Sequence, residues 1–208
     1  MTNLPFSPFN SSLKQILFDR FIKKTSRWLL DGNKGDFSLP DNTILAQMGG
    51  SVWETSFSLI FLCEVAGILG DNDTDKENQA LVGDVRKRVS PVVKWIMSRL
   101  EAVKDADNTD IGVSWDGNTF DTAVAVRALL IALPFLDQSS RSIDVTHLHS
   151  IVVKAFQWLF YRFDQWEVDV KYPVAASDVS EIMLSLLLVQ ERHPDLYRAV
   201  VAEDPASN

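Results

Sequence analysis

The chain is poor in the residues that most often carry chemistry: of 208, one is cysteine and three are histidine. A lone Cys63 excludes an intrachain disulfide and fits a reducing compartment. It falls midway along an apolar segment, so the reading is a small core residue rather than a zinc ligand. His147 and His149 fall at the start of a helical pattern and read as exposed, so no metal and no cofactor are expected. Glycine is scarce, at nine. The one phosphate-loop candidate, Gly32-Asn33-Lys34-Gly35, lacks both the Gly-Lys-Ser/Thr ending and a preceding strand. No Ser-His-Asp or Cys-His arrangement stands out.

Positive charge is also short, 20 Lys and Arg against 28 Asp and Glu, a net −8. Nucleic-acid binding rests on a basic surface that releases counterions, so no nucleic-acid partner is expected. The locally basic stretch Lys14, Arg20, Lys23, Lys24, Arg27 and Lys34 has no interleaved aromatic pattern and reads as a solvated helix face. Met1-Thr2-Asn3-Leu4-Pro5 does not match a secretory signal. The longest apolar run, 57–66, is broken by Ser58 and Glu64 and reads as too short to span a bilayer. A cytoplasmic protein without a membrane span is the expectation.

What the chain does have is apolar mass, 46% of its residues, with twelve Phe and six Trp set inside periodic segments. Three long amphipathic segments alternate with three shorter, nearly all-apolar ones. The first long segment covers about 12–30, with Leu13, Ile16, Leu17, Phe21 and Trp28 on one stripe. The second covers about 79–103 and contains Ser90-Pro91, where a kink or a restart is expected. The third covers about 145–166. The apolar helices are expected near 53–69, 121–136 and 178–192, and 105–116 reads as a polar acidic loop. No segment alternates with period two long enough to predict a strand.

These segments repeat. Trp28, Trp95 and Trp158 lie 67 and 63 residues apart, each before the loop that leads to an apolar helix. Glu54, Asp121 and Asp178 open those apolar helices at spacings of 67 and 57. Two landmarks keeping step predict three helix pairs, at about 11–70, 79–137 and 145–193, flanked by 1–10 and 194–208 within one domain. A helix apolar on nearly every side needs neighbours all round, so the three apolar helices should form an inner row behind an amphipathic outer row. Glu54, Asp121 and Asp178 are then expected as caps, and the three tryptophans as wedges between the rows.

Trp28-Leu29-Leu30-Asp31-Gly32, Ser114-Trp115-Asp116-Gly117 and Asp121-Thr122-Ala123 resemble repeats of the α/α-toroid superfamily, which includes terpenoid cyclases and protein prenyltransferase β-subunits. A degenerate Gln-x-x-x-Gly-x-Trp signature runs from Gln47 to Trp53, with Ser51 in place of the glycine. The resemblance implies an all-α, two-layer helical array, about half of a closed ring. It does not carry over the cyclase acid: aligned on Asp121-Thr122-Ala123, the Asp-x-Asp-Asp motif places Asn118 at its first acid and Phe120 at the catalytic one. Asp71-Asn72-Asp73-Thr74-Asp75 reads as a solvated turn.

Two charges interrupt the apolar helices, Glu64 and Arg127, and a buried charge needs a partner or a ligand. Trp115, Phe120, Asp121 and Arg127 are therefore the candidate ligand-binding residues, at helix N-termini whose dipoles favour an anion. The leading functional expectation is a non-catalytic helical repeat module for protein–protein interaction or regulation, with a protein partner or homodimer covering its open flanks. Leu4-Pro5-Phe6-Ser7-Pro8-Phe9 reads as a docking strap or as a loop packed on the chain's own surface. The alternatives are an enzyme or sensor for an isoprenoid or other small apolar or anionic ligand, and a regulatory domain of a larger protein.

Overall fold

A computed structural model describes residues 18–31, 51–70, 75–136, 143–164 and 176–202. The first described element is a π-helical turn, Phe18–Lys23, which leads into α1 (Lys24–Asp31). Helices α2 (Val52–Leu69) and α3 (Lys76–Ser98) follow, then strands β1 (Leu100–Lys104) and β2 (Asp110–Trp115). The remaining helices are α4 (Thr119–Ala132), α5 (Val145–Asp164), α6 (Ala176–Arg192) and α7 (Pro194–Ala202). The protein is thus mostly helical, with one small two-stranded sheet among the described residues.

Helix α4 lies between α2 and α6. Its sequence explains the position: all but two of its fourteen residues, Phe120 and Arg127, are buried. A helix with no polar face is stable only when enclosed on all sides. Amphipathic neighbours close the remaining sides, with α3 on α2, α5 and β2 on α4, and α7 on α5 and α6. The second turn of α2 meets the first turn of α4 through Phe57 and Phe120. The hydroxyl of Ser185 on α6 donates to the Ala123 carbonyl, 2.9 Å away. Thr119 pairs with Asp178 at the other helix start. Contacts near the helix starts (Phe57 with Phe120, Thr119 with Asp178) and near the ends (Glu64 with Arg192) keep the same order, so α2, α4 and α6 run parallel.

The hairpin corrects the expectation of a loop at 105–116. β1 and β2 pair antiparallel, from Leu100 opposite Trp115 to Lys104 opposite Asp110. Asp105 shapes the turn, its Oδ1 accepting from the N–H groups of Asp107 (2.9 Å) and Thr109 (2.8 Å). No period-two signal exists because Gly112 to Trp115 are all buried: β2 packs on α5 and also touches α4. A strand covered on both faces carries no alternation to read. Trp115 closes the hairpin, its indole N–H donating to the Ile96 carbonyl at 2.7 Å and its backbone N–H to Thr122 Oγ1 at 3.0 Å.

Three further expectations change. Helix α3 runs unbroken through Ser90-Pro91 rather than restarting there. Pro91 lies on the exposed side, and Val85, Val89, Val92, Val93 and Ile96 hold both halves of the helix to the core. Trp28 is not a wedge: it is 68% exposed, and the inward side of this segment is taken by Lys23 of the π-helical turn and Ser26 of α1. Trp95 is half-buried, and only Trp158 is fully packed. Finally, α2 has 18 residues and a mean hydropathy of 1.6, long and apolar enough by length and composition to cross a bilayer. Eight of its side chains are buried. Leu13, Ile16, Leu17, Gln47, 1–10 and 71–74 lie outside the described residues.

Candidate functional site

The parallel start of α2, α4 and α6 gathers the sequence landmarks at one end of the molecule. Glu54, Asp121 and Asp178 each occupy the third residue of their helix. In the first two the capping role belongs to another residue. Ser51 accepts from the Glu54 N–H of α2, and Asn118 accepts from the N–H groups of Phe120 (2.8 Å) and Asp121 (3.2 Å) of α4. The acids sit inside the first turn, where their charge complements the helix dipole. Asp178 instead ties α6 to α4 by accepting from the Thr119 hydroxyl.

Asp121 differs from the other two because it is buried, and its Oδ1 has no hydrogen-bond partner among the described residues. Burial, with Asp116 and Asp178 nearby, pushes its carboxyl up to about 6. A folded-state pKa above the unfolded value stabilises fully below about pH 4, and that contribution is lost as pH rises through 6. Asp121→Asn is therefore expected to stabilise the protein at pH 7.5 and to change little at pH 4. With solvent screening near the helix end the gain is about 1–2 kcal/mol. Chemical denaturation at the two pH values checks it, and an equal effect at both would contradict it. His193 acts in the opposite sense: burial, then His149 and Arg192, lower its pKa, so its contribution is lost as pH falls below the unfolded value near 6.5.

Of the four predicted ligand residues, Trp115 is fully buried and offers no face to a ligand. Phe120 and Arg127 share the partly open side of the trio, two turns apart on α4, and both face Phe57 of α2. Two residues the sequence reading did not single out complete this cluster. Phe57 on α2 stands 6.2 Å from both Trp53 and Phe120, ring centre to ring centre, making an aromatic row. The Arg127 guanidinium lies 5.5 Å from the Phe57 ring centre. Glu181 on α6 faces Arg127 with Nη1 to Oε2 at 3.1 Å, both side chains about 15% exposed (15% and 14%). The contact is ionic rather than a directed hydrogen bond, since Arg127 Nε and Glu181 Oε2 both lack hydrogen-bond partners among the described residues. Glu181 follows Asp178 by three positions, and no local signal ties it to Arg127.

Farther along the trio, Glu64 faces Arg192 of α6 at 4.0 Å, both about half exposed. So the two interrupting charges each have a partner on α6, which accounts for them without a ligand. Cys63 is buried, and burial, followed by the charge of Glu64, pushes its thiol up to about 12, which leaves it unreactive. Among the described residues no three Cys, His, Asp or Glu side chains converge as a metal set. His147 is exposed, and His149 is half-buried against His193, 6.3 Å between ring centres. No family model, curated protein or solved structure matches the chain.

Proposed function

We propose that the chain is a non-catalytic helical repeat module that binds another protein through the flanks of its inner helices. The carrying observation is where apolar surface remains. Helix α4 is enclosed, while α6 leaves Met183, Leu184 and Leu187 exposed by 51%, 46% and 52%. On α2, Trp53 and Ile68 are exposed too. Large apolar side chains grouped on the outermost elements of a helical array are the usual mark of an interaction surface. The half-toroid reading is part of the same proposal. It is supported by the parallel trio and by the common third-residue position of Glu54, Asp121 and Asp178. A cytoplasmic setting agrees with a lone, buried cysteine.

One observation favours a second reading, a small apolar or anionic ligand such as an isoprenoid. The row Trp53, Phe57, Phe120 ends beside Arg127 on the partly open side of the trio. Native mass spectrometry of the purified chain separates the two. The interaction module is expected to fly free of adducts, alone or in protein assemblies. A monomer with a reproducible small-molecule adduct, lost on Phe120→Ala, would overturn the first reading and establish the second.

A further inference from the structure

Helix α7 is held to the rest of the molecule by a small contact. Of its nine residues only Leu196 and Val200, four positions apart on one side, are buried. The helix packs on α5 and α6. Its joint with α6 is His193, whose backbone N–H donates to the Val189 carbonyl and whose carbonyl accepts from the Tyr197 N–H, both at 2.9 Å. The His193 ring meets that of His149 on α5, with ring centres 6.3 Å apart and planes at 62°. Both residues are half-buried. An imidazole pair therefore sits at the corner where α7 docks on α5.

We propose that this pair is an acid-operated latch: α7 stays docked while both rings are neutral and undocks about His193 when both carry a proton. The inference is independent of the interaction reading above.

The surroundings supply no counter-charge. No hydrogen bond or ion pair reaches either ring among the described residues. On α6, Arg192 adjoins His193 and adds a third cation, itself 4.0 Å from Glu64 of α2. Glu191 is exposed. On α7, Asp195 is paired with Arg198 of its own helix, and Tyr197 is uncharged at these pH values. On α5, His147 is exposed two positions before His149, on another side of the helix. Burial first, then His149 and Arg192, hold the His193 pKa below that of a free imidazole. Docking is therefore fully supported above about pH 6.5 and loses support as pH falls below it.

Linkage sets the size of the response. Each proton that the undocked state binds in excess raises its population up to about tenfold per pH unit, so two histidines allow up to about a hundredfold. The core does not follow, because protonation of Asp121 stabilises it over much of the same range. Acid loosening is thus confined to the α7 corner. It uncovers Leu196, Val200 and the side of α5 that carries His149 and, seven positions on, the fully buried Phe156.

Hydrogen exchange of the full chain at pH 7.5 and 5.5 tests this, each amide rate being divided by its intrinsic rate at that pH. Protection of residues 196–202 is expected to fall at least about tenfold at pH 5.5, while that of 123–130 does not fall. Because His193 is the joint itself, the decisive variant is His149→Gln, which removes the facing charge and leaves the joint intact. It is expected to shrink the acid loss by about threefold or more. The double variant with His193→Gln is expected to abolish the loss, and His147→Gln to leave it as in the unaltered chain. Equal protection of 196–202 at the two pH values overturns the latch. A full acid loss in His149→Gln overturns the pairing of the two rings. Loss of protection in 123–130 in step with 196–202 overturns the local release.

Discussion

Gly112→Ala is expected to lower the thermal midpoint by roughly 10 °C, which for a chain of this size corresponds to about 3 kcal/mol. Gly112 sits in β2 at φ +123°, a conformation that side chains rarely adopt. A Cβ there would lie 2.3 Å from the Lys154 carbonyl oxygen and 2.9 Å from the Trp158 backbone nitrogen of α5. Both are backbone atoms of a packed helix, so neither can move aside without lifting the hairpin. Lifting it strips Val113 and Trp115 of their cover and breaks the bond from the Trp115 indole to Ile96. Calorimetry checks the size of the effect. Gly117→Ala is the control: it also has positive φ, at +61°, but a Cβ there meets nothing within 4 Å. If the two substitutions cost the same, backbone strain alone would explain Gly112, and the close approach to α5 would carry no weight.

Arg127→Ala is expected to destabilise by about 3–5 kcal/mol, because it strands the Glu181 carboxylate at 14% exposure. It also removes the cation from the Phe57 ring. The expected rescue distinguishes this cause from lost packing. Arg127→Met with Glu181→Leu replaces the pair by apolar groups of similar size and should recover most of the loss. The difference between the single and the double variant, measured by urea denaturation, is the coupling. A double variant no more stable than Arg127→Ala would mean that the guanidinium is held for another purpose, and would move weight to the small-ligand reading.

These two residues also mark what the sequence made readable. Arg127 stood out because a charge inside an apolar run is conspicuous, and the helical period placed it two turns from Phe120. Its partner was less visible, since Glu181 belongs to a helix 54 residues away and nothing local announces the contact. The inner helices were readable for a related reason: only an enclosed helix tolerates a run such as Ala123 to Val126 with no polar side. The acids at positions 54, 121 and 178 were read at the correct helix starts, but Ser51 and Asn118 take the caps at 54 and 121. That detail depends on where the helix boundary falls, three residues before each acid.

The hairpin was hidden for a different reason. Leu100, Glu101, Ala102 and Lys104 favour helix on local grounds, and β2 is buried without alternation. Tertiary packing against α5 decides its conformation. Trp115 was misplaced in consequence: read as a candidate ligand-binding residue with Phe120, it is instead the core anchor of the strand. Trp28, the first of the three repeat landmarks, faces outward because the buried side of its segment is set by Lys23, at the end of the π-helical turn, and Ser26 of α1. Lys23 is held there by Asp75 and Glu77, at 3.7 and 3.9 Å.

Hydrogen exchange on the native protein tests most directly the claim that α4 is the enclosed axis and that α2 and α6 are open flanks. Amides of Ala123 to Leu130 are expected to exchange slowest, at the rate of global unfolding. Amides on the exposed sides of α2 and α6 should exchange through smaller openings. If α4 exchanged as fast as α6 in dilute solution, the trio would not be built around α4 and the interaction surfaces assigned to its neighbours would fall with it.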